Sequence, residues 1–250
     1  MLRIVIILFC LMISSSVLAG TLSEMTAGSQ WLLGLNAGPT WVTGNKTQTI
    51  NLQADIEKTY TANNSGSVFP SAELFMGLQK PLFAPFLGQP LLGQLSIVFA
   101  AAGNAELEGD IWEDADPEFN NFTYKYKVQH THIAIAGRLV GNCHRMLEPY
   151  ISASVGLGFN RAFNFRVYPN IAEEVAAPPF NSDSTTTLSY TLGIGLQKSF
   201  NSHVQAAIGY EFADWGKIKL ARAAGQTLNQ GLTLNHLYAH QLQLSLFYII

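Results

Sequence analysis

Near its C-terminal end the chain alternates strictly between large apolar and other residues. Leu242, Leu244, Leu246, Tyr248 and Ile250 share one side of a period of two. Gln243, Ser245, Phe247 and Ile249 share the other. This alternation marks a β-strand with two unlike faces. A greasy strand with a free edge invites aggregation. It is tolerable where both edges find partners, as in a closed barrel. Seven earlier stretches carry the same signature: 31–43, 68–79, 92–103, 122–140, 149–162, 186–200 and 203–213. In the first, Trp31, Leu33, Leu35, Ala37, Pro39 and Trp41 oppose Leu32, Gly34, Asn36, Gly38 and Thr40. In 186–200, Leu188, Tyr190, Leu192, Ile194 and Leu196 oppose Ser189, Thr191, Gly193, Gly195 and Gln197.

The pattern predicts an all-β fold: an eight-stranded antiparallel up-and-down transmembrane β-barrel over 31–250. The connections alternate in length. Those after the first, third, fifth and seventh strands (44–66, an acidic 106–118, 163–184 and 214–235) are the four long ones. Antiparallel topology gathers them at one end, leaving short turns at the other. In an exported barrel whose termini are periplasmic, the long loops are extracellular.

Composition supports this reading. Charged residues are 12% of the chain, about half of what globular domains carry. Mean hydropathy is positive, yet beyond residue 20 no apolar run reaches the roughly 18–20 residues of a membrane helix. At the start, Arg3 followed by the apolar Ile4–Ile13 and the small residues before Gly20 read as a secretion signal, 1–19, cleaved after Ala19. Residues 20–30 are then a short periplasmic segment. Loss of Arg3 takes the formal charge from -3 to -4, too weak a field to imply nucleic-acid binding. Cys143 is the one cysteine left in the mature chain, so no internal disulfide forms.

Which face meets lipid follows from side-chain volume. An eight-stranded barrel has an interior just wide enough for side chains. The bulky Leu, Ile and Val face does not fit there, and the Gly, Ser, Thr, Gln and Asn face does. A soluble ligand-binding barrel would need the opposite arrangement. Five aromatics, Trp31, Trp41, Tyr190, Tyr210 and Tyr248, are assigned to the girdles where the apolar band meets water.

These features resemble the small eight-stranded outer-membrane barrels of Gram-negative bacteria: the OmpA membrane domain, OmpX, OmpW and the Opa-type opacity proteins. Leu242, Leu244, Leu246, Tyr248 and Ile250 resemble the C-terminal signal read by the barrel-assembly machinery, although Ile250 stands where an aromatic is usual. Pro149–Asn160 and Gly209–Gly216 look like strand motifs of the same group. The resemblance implies residence in the outer membrane among its lipid and lipopolysaccharide. It also implies a surface role in envelope integrity, adhesion or host interaction through loop-borne host or matrix ligands. The alternative it implies is a narrow OmpW-like channel for small or apolar solutes.

The inward face carries a few residues with chemistry. Glu73, His130, His132, Arg138 and Glu211 are assigned to a structural polar network in the lumen, with Lys127 and Arg161 nearer the rim, because buried charges need partners or water. His130-Thr131-His132 puts two imidazoles on one face without a third ligand, so no metal and no cofactor are expected. Neither His236 nor His240 stands in a His-x-Ser arrangement with a nucleophile. The expectation is a non-enzymatic protein. The acids Glu106, Glu108, Asp110, Glu113, Asp114, Asp116 and Glu118 are read as a solvated loop, with loose cation bridging to lipopolysaccharide as the weaker reading.

Overall fold

The structure is a computed structural model describing residues 28–44, 46–63, 67–86, 89–141, 147–172 and 174–250. The expected secretion signal, most of the periplasmic segment and Cys143 lie outside the described residues. In chain order the strands are β1 (Gln30–Thr43), β2 (Gln48–Gln53), β3 (Ile56–Tyr60), β4 (Val68–Phe86) and β5 (Gln89–Ala102). Then follow β6 (Ala105–Glu113), β7 (Asn120–Gly141), β8 (Glu148–Pro169), β9 (Phe180–Asn181) and β10 (Asp183–Ser199). The last are β11 (Val204–Asp214), β12 (Ile218–Lys219), β13 (Ala221–Ala223), β14 (Thr233–Leu234) and β15 (Tyr238–Ile249).

Eight of these close an antiparallel ring in the order β1-β4-β5-β7-β8-β10-β11-β15. Closure is the pairing of first and last staves, from Leu32 opposite Ile249 to Thr43 opposite Tyr238. Two bonds finish it at the end carrying the termini, here the lower end. Ile250 N donates to Trp31 O at 2.9 Å, and Ile249 N to His203 O at 2.8 Å. No edge is left within the ring, which answers the hazard posed by the apolar strand at 242–250.

The alternation determines which side chain enters. On β15, Leu244 is 63% exposed while Phe247 is 2% exposed. Leu35, Leu74, Ile135, Ile151, Leu188 and Ile208 all face outward in the same way. The interior is as narrow as expected, and glycine makes space for the few large rings inside it. A methyl group at Gly195 or Gly209 would run into the Tyr150 ring, and one at Gly34 into Phe247.

At the upper end the structure departs from the sequence reading. The regions expected to be loops are largely folded. Residues 44–66 contain the β2–β3 hairpin, and the acidic stretch contains β6, paired with β7 from Ala105 opposite Val128 onward. β8 runs on past Ala162 to Pro169. The Pro-rich 80–91 at the lower end also continues its two strands, with Pro81 opposite Leu92. Ring strands, hairpin and β6 form one continuous sheet, so the barrel wall rises into a second storey.

Two irregularities set the register of that upper storey. Gln94, Ser96, Val98 and Ala102 point inward on β5, but across Gly103-Asn104 the parity flips and Ala105, Leu107 and Ile111 point inward on β6. On β8, Asn164 adopts a left-handed φ of 58°, a conformation Asn tolerates better than most residues. Beyond it Phe165 takes the inward position. Each inserted residue turns the following side chains over.

Candidate functional site

Three parts of the molecule can carry function: the lumen, the upper core and the outer surface where the apolar belt ends.

The lower lumen is polar and filled. Asn36 Nδ2 donates to Glu73 Oε2 at 3.1 Å, and Ser245 Oγ donates to Asn36 Oδ1 at 2.6 Å. Thr191 Oγ1 donates to Glu211 Oε2 at 3.1 Å and lies 2.9 Å from Ser154 Oγ. Glu73 and Glu211 come together in the lumen, where both line the same two cavities. These cavities, of about 20 Å³ each, lie on either side of the pair, and His132 lines both. Each has room for about one water molecule.

The other expected network members line these cavities too but make their main contacts elsewhere. Arg138 lines the lower cavity with Glu73 and Glu211, but among the described residues it makes no ion pair. Its guanidinium instead lies between two rings, 4.2 Å from the Tyr150 centroid and 4.6 Å from that of Phe247. These rings belong to an apolar floor with Leu32, Val140 and Ile249. His130 and His132 stand above the carboxyl pair, with His130 Nε2 3.0 Å from His132 Nδ1. Nδ1 of His130 is 2.6 Å from Asn160 Oδ1. The His130 ring stacks on Trp215 at 4.4 Å and 4°. Asn160 Nδ2 in turn donates to the carbonyls of Trp215 and Lys217. The histidines thus form the seat for the segment after β11.

Lys127 and Arg161 are not in the lumen. Both alternate with inward residues, Val128 on β7 and Ala162 on β8, so both project from the outer wall. Parity alone decides this, and the rim assignment made from sequence overlooked it.

The upper core inverts the chemistry of the lower lumen. Tyr60, Tyr124, Tyr126, Phe165 and Phe180 pack ring against ring, with Phe165 5.5 Å from Tyr124 and 5.0 Å from Phe180. Leu107, Ile111, Ile218, Leu220, Leu232, Leu234 and Leu237 surround them. Burial pushes the phenols of Tyr60 and Tyr124 well above the ordinary tyrosine range, so both stay neutral. The acids of β6 face outward, where Glu108 lies 2.7 Å and Glu106 3.7 Å from Lys125 Nζ. Residues 214–235 close the top. Trp215 N bonds Leu237 O, and Asp214 accepts from Gly216 N and lies 2.7 Å from His236 Nδ1.

The five girdle aromatics all project outward. Trp31 and Tyr248 sit at the lower end and Trp41, Tyr190 and Tyr210 toward the upper. His240, which the sequence raised only as a catalytic candidate, joins the upper set. It stacks on Trp41 at 5.7 Å, and its ring nitrogens lie 2.6 Å from Tyr210 Oη and 3.2 Å from Thr43 Oγ1. An outward polar ring is thereby satisfied without water.

No known protein family matches this chain, and no curated protein matches it. Solved structures of similar architecture include surface and outer membrane proteins. Neisserial surface protein A is 10% identical, with 88% of this chain and 98% of that one covered, at a TM-score of 0.39. The outer membrane protein OprG from Pseudomonas aeruginosa is 12% identical, with 88% and 95% covered, at 0.45. The outer membrane protease OmpT from Escherichia coli is 7% identical, with 88% and 97% covered, at 0.45. Likenesses this distant carry no activity or partner over to this chain.

Proposed function

We propose that this chain is an outer-membrane β-barrel, non-enzymatic and non-conducting, that presents its upper storey at the cell surface. In this reading it supports envelope integrity and surface interaction, with host or matrix ligands met by the upper storey. One observation carries the proposal: the wall reverses polarity along its height. The lower storey exposes Leu, Ile, Val and Phe around its outer face and buries Glu, Asn, Gln, Ser and Thr. Only a hydrocarbon surrounding makes that arrangement favourable, because closure satisfies the backbone and the apolar side chains meet lipid.

The filled lumen favours a structural barrel over the narrow channel. The carboxyl pair, Arg138 and the apolar floor occupy the bore, and the two cavities beside the pair are each of single-water size. The residues 1–19 serve export, and Leu242, Leu244, Leu246, Tyr248 and Ile250 serve recognition by the barrel-assembly machinery. Lipid and lipopolysaccharide surround the belt.

Heat-modifiable migration on a gel and reconstitution in planar bilayers test the proposal together. The expected outcome is a heat-sensitive, membrane-inserted species without discrete conductance steps. Soluble fractionation with no mobility shift removes the membrane reading. Reproducible conductance steps favour the channel.

A further inference from the structure

The lower edge of the upper storey is not the same all round. On β7, β8 and β10 the apolar belt ends along a line of paired outward residues, Thr131 opposite Phe159 and Phe159 opposite Thr186. The next outward step brings Gln129 opposite Arg161, and Arg161 opposite Ser184. One step further, Lys127 stands opposite Phe163, and beyond the bulge Lys125 opposite Arg166. Lys127 is therefore the diagonal neighbour of Arg161, about 7–8 Å away along the wall and within reach of two long side chains. On β1, β15 and β11 the belt instead gives way to Trp41, His240, Tyr210 and Phe212.

The groups facing this basic patch do not neutralise it. Glu106 lies opposite Lys127 in the ladder, but its nearest cation is Lys125, which Glu108 also holds. That pairing raises the Lys125 pKa, chiefly through the hydrogen bond to Glu108. Asp183 is held by Lys219 at 3.0 Å. Among the described residues Lys127, Arg161 and Arg166 have no carboxylate within ion-pair distance. Arg166 Nε donates to Asn164 Oδ1, and the Arg161 guanidinium lies 5.3 Å from the Phe163 ring. An Arg resting on an aromatic face keeps its outer N–H groups free for an anion.

We infer that Lys127, Arg161 and Arg166 form a docking surface for the phosphate groups of outer-leaflet lipid. The inference rests on the membrane reading above. An acyl chain lying along Val155, Leu157 and Phe159 places its headgroup beside Arg161, with Gln129 and Ser184 on either side and Lys127 and Arg166 above. The occupant is a lipid phosphate rather than a soluble anion because Arg161 takes the outward position of β8 directly after Phe159, the last apolar residue of the belt there.

The test uses the full mature chain folded into phosphatidylcholine vesicles containing either bis-phosphorylated or monophosphoryl lipid A. Lipid retained on the barrel after release into mild detergent is read by native mass spectrometry. Wild type is expected to retain the bis-phosphorylated form preferentially. A Lys127→Gln, Arg161→Gln double variant is expected to retain about tenfold less of it. Lys198→Gln, near the lower rim, is expected to match wild type. Equal retention by wild type and double variant overturns the docking surface, as does an equal loss in Lys198→Gln. If the double variant fails to fold, each single variant reads the same difference. Insertion is scored separately by heat-modifiable migration. Wild type that inserts without preferring phosphorylated lipid overturns this surface alone, whereas failure to insert overturns both readings.

Discussion

The two storeys of the barrel share strands but not their logic. In the lower storey the strands turn large apolar side chains outward and close the interior with hydrogen bonds. In the upper storey the same strands, β7 and β8 above all, turn Tyr124, Tyr126 and Phe165 inward and leave Lys125 and Arg166 outside. The upper storey is built like a soluble protein, with a hydrophobic core beneath a charged skin. The lower storey is its inverse. A continuous sheet thus changes solvent partway along its length, and the wall records where. What changes is the rule that assigns a face, while the period of two stays constant.

The strongest test breaks the upper core without touching the belt. Phe165→Ala removes the ring that joins Tyr60, Tyr124, Tyr126 and Phe180. It is expected to cost about 3–5 kcal/mol of upper-storey stability. Limited proteolysis of the folded barrel reads it: cleavage within 214–235 accelerates while the ring stays protected. If the whole barrel is lost together, the two storeys are one cooperative unit.

Next comes the belt. Leu244 is flanked by Ala37 and Ile208, midway along the outward face of β15. Leu244→Lys puts a charge into lipid at an expected cost of about 2–4 kcal/mol. Urea unfolding in vesicles measures it. An equal midpoint in wild type and variant contradicts a hydrocarbon surrounding at that position.

A smaller effect is expected in the lumen. Asn36→Ala leaves Glu73 and Ser245 without their shared partner and should cost about 1–3 kcal/mol. The same unfolding measurement applies, and an unchanged midpoint means that the polar fill does not stabilise the ring. Smallest of all is Lys125→Ala. The bridge to Glu106 and Glu108 is exposed, and exposed pairs contribute little. No resolvable shift in the midpoint is expected, and a clear loss would assign the outer skin a structural role.

Much of the ring was legible because its signal is local. Leu242, Leu244 and Leu246 against Gln243 and Ser245 state a strand, its two faces and their unequal volumes. The upper storey was signalled in the same way. Ala105, Leu107, Gly109 and Ile111 alternate with Glu106, Glu108 and Asp110, which is a strand pattern. Its density of acid made it read as a loop. Lys127 and Arg161 likewise carried the parity of the outer face, but their charge suggested the lumen. In both cases charge was weighed above period, a rule that suits the lower storey and fails in the upper.

The polar site was less legible. Sequence parity places Glu73, Glu211, Arg138, His130 and His132 on inward faces, and all five are there. It cannot say which of them meet. Glu73 and Glu211 come from β4 and β11, which lie on opposite sides of β1 and β15 in the ring. Arg138 rests between Tyr150 and Phe247 because Gly34, Gly195 and Gly209 leave space for those rings. Trp215 reaches His130 only because residues 214–235 fold back over the top.

By itself, then, the sequence determined the eight ring strands, the two faces of their lower parts and the eight-membered ring, since each follows from side-chain order along a backbone of period two. Tertiary structure alone decided the carboxyl pair, the stacked arginine and the apolar upper core. Those depend on how far the ladders shift and where an inserted residue turns the faces over, and neither is written in any single strand.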